Sequence, residues 1–158
     1  MRGNTSHQAV HHPALATAGR MTAILQLTWD LVDFEREPIR LGDGSKRRKR
    51  RATVPMTPRA KEALLAAHVA RTCNHVIEYG GKPMLKVRTS LGKVAAKAGV
   101  PWVSPRIFRH SAAVWMAEDG VAMPEIASVL GHSDSRITER VYAVHSQGYL
   151  RKAIRSLA

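Results

Sequence analysis

The sequence predicts a mostly α-helical fold with a small antiparallel β-sheet (α+β). From residue 85 onward, apolar residues recur at helical spacing, and glycines separate the segments at Gly99, Gly120 and Gly131. Two short extended segments, Pro38–Leu41 and Ala52–Pro55, flank a loop of glycine and charged residues. That arrangement is typical of a β-hairpin, so the class follows from one hairpin and a long helical C-terminal part.

The remaining elements follow in chain order. Residues 13–34 predict two short helices that meet at Gly19 and Arg20. Thr57 and Pro58 supply an N-cap and a first-turn proline for the next helix. Residues 76–79 predict a short strand before a glycine turn. Five helices are then expected over about 85–98, 104–120, 124–131, 135–144 and 147–157. Ser104 is the expected cap of the second of these helices. Residues 1–12 are expected to be a polar tail on one domain, 13–158.

Composition favours a nucleic acid as the partner. The chain has 158 residues, with 25 Lys and Arg against 12 Asp and Glu, which makes its formal net charge +13. Such a field concentrates polyanions, so nucleic acid is the first candidate and an acidic membrane surface is the second. Its 44% hydrophobic content argues against a disordered chain, and its 5% aromatic content argues against a binder that stacks single-stranded bases.

Several other classes are excluded or disfavoured. The single cysteine excludes an internal disulfide framework and a zinc site of the CxxC type. No apolar run approaches the roughly 20 residues that a membrane-spanning helix needs, and the N-terminus has no apolar signal core. We therefore expect a cytoplasmic protein that associates with DNA and has no membrane partner.

The densest charge lies at the predicted hairpin tip. A solvated charge run or a nuclear address would look the same in sequence. On a hairpin of a basic protein, however, such a run can enter a groove and contact phosphates. The expected DNA-binding residues are Lys46, Arg47, Arg48, Lys49, Arg50 and Arg51.

Four further residues carry possible chemistry. Arg106 and Arg109 are three positions apart, so both project from one face of their helix. His132 follows a predicted helix end, and Tyr142 comes ten positions later. Taken singly, these residues are equally consistent with surface arginines, a structural histidine and a half-buried aromatic residue.

Together they resemble a known family. The stretch Ser104–Ser146 resembles the C-terminal signature of the tyrosine recombinases of phage-integrase and Xer type, which carry "LRHT", then "LGH", then a tyrosine. Upstream, Ala16–Arg20, Leu27–Trp29 and Val32–Phe34 resemble the family's "TGxR" and "LxW.DID" stretch, and Arg47–Met56 is similar to its hairpin strand. The match runs from about residue 13 to 152.

The resemblance implies cleavage, exchange and rejoining of double-stranded DNA. Two guanidinium groups would bind the non-bridging oxygens of a phosphodiester, and a tyrosine would form a phosphotyrosyl ester that a DNA hydroxyl can reverse. A hairpin lysine would protonate the departing 5′-oxygen, and a histidine would hydrogen-bond the phosphate. No metal or cofactor is implied. The catalytic set carried over is Arg20, Lys46 (or Lys49), Arg106, Arg109, His132 and Tyr142, with His110 in a supporting role.

Two features depart from the family. Arg106 stands where the family most often has histidine, and a guanidinium cannot act as a base near neutral pH. Only 19 residues precede Arg20, so we expect a catalytic domain without the N-terminal clamp region, and weaker DNA binding.

Two alternatives stay open. A degenerate integrase would bind DNA without cutting it. A non-catalytic helix-turn-helix regulator would use residues 124–144, with Ala127 packed in its first helix and Ile137 anchoring the second. The apolar stripe of the last predicted helix would dock on a neighbouring protomer or fold back, so a homo-oligomer on DNA is one of two outcomes.

Overall fold

The structure is a computed structural model that describes residues 17–42, 52–146, 148 and 154–155. The predicted mostly α-helical class with a small antiparallel sheet is confirmed. The elements are α1 Met21–Leu25, β1 Pro38–Leu41, β2 Ala52–Pro55, α2 Pro58–Val69, β3 Glu78–Tyr79, β4 Lys82–Pro83, α3 Arg88–Lys97, α4 Pro105–Glu118, α5 Met123–Leu130 and α6 Ser135–Tyr142, with 3₁₀ turns at Trp29–Leu31 and Ala143–His145.

The predicted hairpin forms with the predicted bounds. β1 and β2 pair antiparallel, with Ile39 opposite Val54 and Leu41 opposite Ala52. Ile39, Leu41 and Val54 are buried while their neighbours along the strands are more exposed, as the period of two residues requires. The pairing therefore brings Leu41 and Ala52 opposite each other, and residues 43–51 between them lie outside the described residues.

Helix ends follow the predicted signals, with one exception. The Thr57 side chain accepts a hydrogen bond from the backbone N–H of Ala60, as an N-cap should. α5 ends at Gly131, whose φ of 62° lies in the left-handed region that glycine tolerates. Ser104 takes the N-cap position of α4, but its side chain makes no capping hydrogen bond.

Two predicted boundaries are wrong. The strand expected over residues 76–79 covers only Glu78 and Tyr79, because the Val76 N–H donates to the carbonyl of Leu27 instead of to a neighbouring strand. The helix expected from residue 85 begins at Arg88, since Val87 is a buried N-cap residue and Leu85 before it is exposed.

Some large apolar residues of the helices lie at the surface. Leu65 and Val69 on α2 are 42% and 86% exposed, and Trp115 on α4 is 54% exposed. On α2, the structure buries only Ala60 and Leu64.

Two apolar clusters share the interior. The first joins α1, the hairpin, α2 and the start of α3, and includes Ile24, Leu27 and Ile39. The second joins α4, α5 and α6, and includes Ala113, Ile126, Leu130 and Tyr142. Ala18, just before α1, packs in the second cluster, so the segment that leads into α1 bridges the two.

Within the part of the chain that the structure describes, no helix is long and apolar enough to span a bilayer. The predicted tail of residues 1–12, the basic tip and most of the predicted last helix lie outside that part.

Candidate active site

The segment before α1 is held in a tight bend that positions Arg20. Ala18 adopts a φ of 47°, an uncommon conformation for a residue with a side chain. The N–H of Gly19 donates to the Thr17 hydroxyl group, and a Cβ atom at Gly19 would lie 2.8 Å from Leu41 Cδ1. Arg20 then occupies the N-cap position of α1 with an exposed side chain.

Arg109 connects three parts of the chain. Its Nη1 donates to the carbonyl of Ala18 at 2.8 Å, and its Nη2 donates to the carbonyl of Leu130 at 2.6 Å. Nη2 also lies 3.0 Å from His132 Nε2. Arg20 Nη2 donates to the carbonyl of Gly131 at 3.3 Å, so both arginines converge on the end of α5. The N–H group on Nε of Arg109 and the second N–H group on its Nη1 take no part in these three hydrogen bonds.

These contacts define the tautomer of His132. A guanidinium group has no acceptor, so His132 Nε2 must accept the hydrogen bond from Arg109. The ring proton is then on Nδ1, which lies 2.9 Å from the hydroxyl oxygen of the fully buried Thr138. Burial and the charges of Arg109 and Arg20 lower the pKa of His132, which agrees with a neutral ring.

Tyr142 lies at the end of α6, with its phenol facing the helix that carries the arginines. Its side chain is 7% exposed, and its hydroxyl oxygen lies 3.3 Å from His110 Nδ1 on α4. Burial raises the pKa of Tyr142, although the charges of Arg109 and Arg106 pull it in the opposite direction. Burial therefore outweighs the two charges, although both charges favour the phenolate.

The two arginines that are close together repel each other. Burial, and then the charge of Arg20, lower the pKa of Arg109 to about 10. Arg109 is still a cation at neutral pH, and its charge has no carboxylate partner among the hydrogen bonds and ion pairs of the described residues. A positive site that lacks a counter-charge is suited to an anion such as a phosphodiester.

Of the predicted site residues, the structure brings together Arg20, Arg106, Arg109, His110, His132 and Tyr142. The predicted hairpin residues, Lys46, Arg47, Arg48, Lys49, Arg50 and Arg51, lie outside the described residues.

Sequence reasoning missed four contributors. Thr138 lies four positions before Tyr142 on α6, and that spacing on one helix face was an available signal. The carbonyls of Ala18, Leu130 and Gly131 act through the backbone, so their residue types carried no signal for this role.

The structure does not bury the residue that the helix-turn-helix alternative requires as the anchor of its second helix. Ala127 is buried, as that motif requires, but Ile137 is 52% exposed and therefore does not anchor α6 in the core. The residues of α6 that turn inward are Thr138 and Tyr142, which face the arginine cluster instead.

The fold and this cluster are of the integrase type, and comparison with known proteins gives the same class. Residues 3–148 match the Phage integrase family, and the chain belongs to that family. It is 31% identical over 157 residues to the tyrosine recombinase XerC of Mycobacterium tuberculosis (strain CDC 1551 / Oshkosh), a match that covers 86% of this chain and 51% of the relative. With XerC of Bifidobacterium longum (strain DJO10A), it shares 30% identity over 141 residues, covering 79% of this chain.

Solved structures share the fold. The Tn1549 transposon integrase, in complex with a circular intermediate DNA, superimposes with a TM-score of 0.82 at 19% identity, over all of this chain and 60% of the other. The catalytic domain of bacteriophage HP1 integrase superimposes with a TM-score of 0.67 at 20% identity, over 93% of this chain and 79% of the other. The chain spans 39% and 51% of the length of the two XerC relatives named above.

Proposed function

We propose that this chain is the catalytic part of a site-specific DNA recombinase or integrase. It cleaves and rejoins double-stranded DNA through a 3′-phosphotyrosyl intermediate, in the cytoplasm and without a cofactor. The observation that carries the proposal is the network around Arg109, which joins the segment before α1 to the end of α5 close to a buried tyrosine. Family membership and the names of the XerC relatives support it.

The proposed roles follow from charge and hydrogen-bonding capacity. Arg20 and Arg109 bind the non-bridging oxygens of the scissile phosphate, because guanidinium groups offer paired donors where negative charge builds up. Arg106 adds a third positive charge beside Tyr142. To donate a hydrogen bond to the phosphate, His132 must release the Arg109 bond at Nε2 and carry a proton there, since its Nδ1 faces Thr138 and a phosphate oxygen only accepts.

The covalent step is a displacement at phosphorus. Tyr142 Oη forms a bond to phosphorus while the bond from phosphorus to the 5′-oxygen breaks. The departing oxygen takes a proton from Lys46 or Lys49, and the six cations of residues 46–51 hold the DNA backbone. Attack by a 5′-hydroxyl on the phosphotyrosyl ester then rejoins the strand and restores the phenol. Assembly of two or more copies on DNA through the C-terminal segment belongs to the same proposal.

One observation favours a second candidate, an integrase that binds DNA without cutting it. Arg106 replaces the histidine that family members most often carry, so the site has one acid–base group fewer. The two candidates agree on DNA binding and differ on covalent chemistry.

A trapping experiment separates them. The protein is incubated at low salt with a pool of duplexes that carry a nick beside randomised sequence, and protein–DNA adducts that survive denaturation are counted. The proposal predicts adducts that disappear in Tyr142→Phe and persist in the matched variant Tyr79→Phe, because Tyr79 is exposed at the end of β3. Retarded DNA without any adduct would favour the second candidate.

A further inference from the structure

The hydroxyl group of Tyr142 has a partner that the implied chemistry does not use. His110 Nδ1 lies 3.3 Å from Tyr142 Oη, and the two rings are tilted by 44° with centroids 5.2 Å apart. Hydrogen bonds of catalytic groups are often long before substrate binds and shorten in the complex. His110 is exposed while Tyr142 is buried, so solvent reaches His110 more readily than the Tyr142 ring.

The phenol needs a proton acceptor, and the other nearby groups do not provide one. Arg106 has no lone pair to offer at neutral pH. Both nitrogens of His132 are engaged, Nε2 by Arg109 and Nδ1 by Thr138. Among the described residues, His110 is the titratable side chain within hydrogen-bond distance of the Tyr142 hydroxyl group.

We propose that His110 is a catalytic base, whose Nδ1 accepts the Tyr142 hydroxyl proton as the oxygen attacks phosphorus. The inference rests on the proposed function and adds a residue to it. As the O–H bond breaks, its electron pair forms the bond to phosphorus, the proton moves to Nδ1, and the 5′-oxygen leaves with a proton from the hairpin lysine. In the rejoining step the imidazolium returns the proton to the departing phenol.

The spacing of residues along α4 places charged side chains near the His110 imidazole and the Tyr142 phenol. Arg106 and His110 are one turn apart on α4, so they lie on the same face, and Arg109 is adjacent. The charges of Arg106 and Arg109 favour a developing phenolate but oppose a third positive charge on the imidazole. The bound phosphodiester carries the negative charge that offsets this repulsion. The other titratable side chains on elements packed against α4 are all exposed: Glu125, Arg136, Glu139, Arg140 and His145.

Single-turnover cleavage of a trapped DNA tests the proposal. His110→Asn keeps an acceptor atom near the position of Nδ1 but cannot take a proton, so we expect adduct formation to slow by about 10²-fold or more at pH 7. The wild-type rate should fall toward low pH, where a base becomes protonated, and that fall should be absent in the variant. Added imidazole should restore part of the rate in His110→Ala, because the position is exposed. An Asn variant within about 3-fold of wild type, with the same pH profile, would overturn the proposal.

A second measurement does not depend on activity. Long-range ¹H–¹⁵N NMR of the free protein at neutral pH reports which ring nitrogen carries the proton, with His110→Asn used for assignment. We expect the proton on Nε2 of His110 and a change of the Nδ1 shift in Tyr142→Phe. A proton on Nδ1 would make His110 the donor and refute the proposal. Absence of any adduct in wild type would instead contradict the proposed function.

Discussion

Thr138 is the residue on which the orientation of His132 depends. Its hydroxyl oxygen faces His132 Nδ1 at 2.9 Å in a fully buried position. We expect Thr138→Val to lower the free energy of unfolding by about 1–3 kcal/mol, because the ring N–H is left without an acceptor. Urea unfolding measures this cost. In a His132→Ala background, Thr138→Val should lower the free energy of unfolding much less. An equal loss in both backgrounds would show that the Thr138 hydroxyl group stabilises the protein through a partner other than His132.

His132 also makes stability depend on pH. Its folded-state pKa lies below the ordinary value of about 6.5, so the folded protein binds this proton less tightly than the unfolded chain. The stabilisation it provides is complete above that ordinary value and is lost as pH falls through the folded-state pKa. Between pH 8 and pH 5, wild type should therefore lose more unfolding free energy than His132→Gln. Parallel losses in the two proteins would contradict this assignment.

At the level of single residues, the sequence predicted which residues form the site better than it predicted their protonation states. Arg20, Arg109, His132 and Tyr142 were predicted from the resemblance to the tyrosine recombinases, and the structure brings them together. The rise in the Tyr142 pKa was not predictable, because it follows from how deeply α4, α5 and α6 bury the ring.

The bend before α1 is the element that carries the first arginine, and Gly19 permits it. A Cβ atom there would lie 2.8 Å from Leu41 and 3.0 Å from the Thr17 hydroxyl oxygen, so we expect Gly19→Ala to cost about 1–3 kcal/mol of stability. Gly92 is the matched control. It lies inside α3, and a Cβ atom there meets nothing within 4 Å.

Gly92→Ala should accordingly stabilise the protein by about 0.5–1 kcal/mol, since alanine loses less backbone entropy in a helix. Thermal and urea unfolding of the two variants give the comparison. Equal changes of the same sign would mean that the close packing around Gly19 does not constrain the bend.

Elements were predicted well where a local signal marks them. Thr57 and Gly131 defined helix ends correctly, and the alternation in Pro38–Leu41 and Ala52–Pro55 predicted the hairpin. The start of α3 and the strand before Gly80 were wrong, since tertiary hydrogen bonds and the burial of Val87 decided them.

For the whole molecule, the net charge of +13 predicts DNA binding that weakens steeply with salt. We expect the triple variant Arg47→Gln, Arg48→Gln, Arg50→Gln to reduce the slope of log Kd against log salt by about 0.9 for each phosphate group that the variant no longer neutralises. A control that removes three exposed cations elsewhere, at Arg59, Arg71 and Lys82, should change the slope less. Equal slopes in the two triple variants would argue against the hairpin tip as the segment that binds the DNA backbone.

The proposed chemistry depends on one phenol that attacks phosphorus, and the attached nucleotide reveals which residue carries that phenol. The trapped adduct is digested with nuclease and trypsin, and tandem mass spectrometry locates the added mass on residues 141–151, a peptide that contains both Tyr142 and Tyr149. We expect a nucleotide joined through its 3′-phosphate to Tyr142. A nucleotide on Tyr149 or on any other residue would refute the assignment of Tyr142 as the nucleophile.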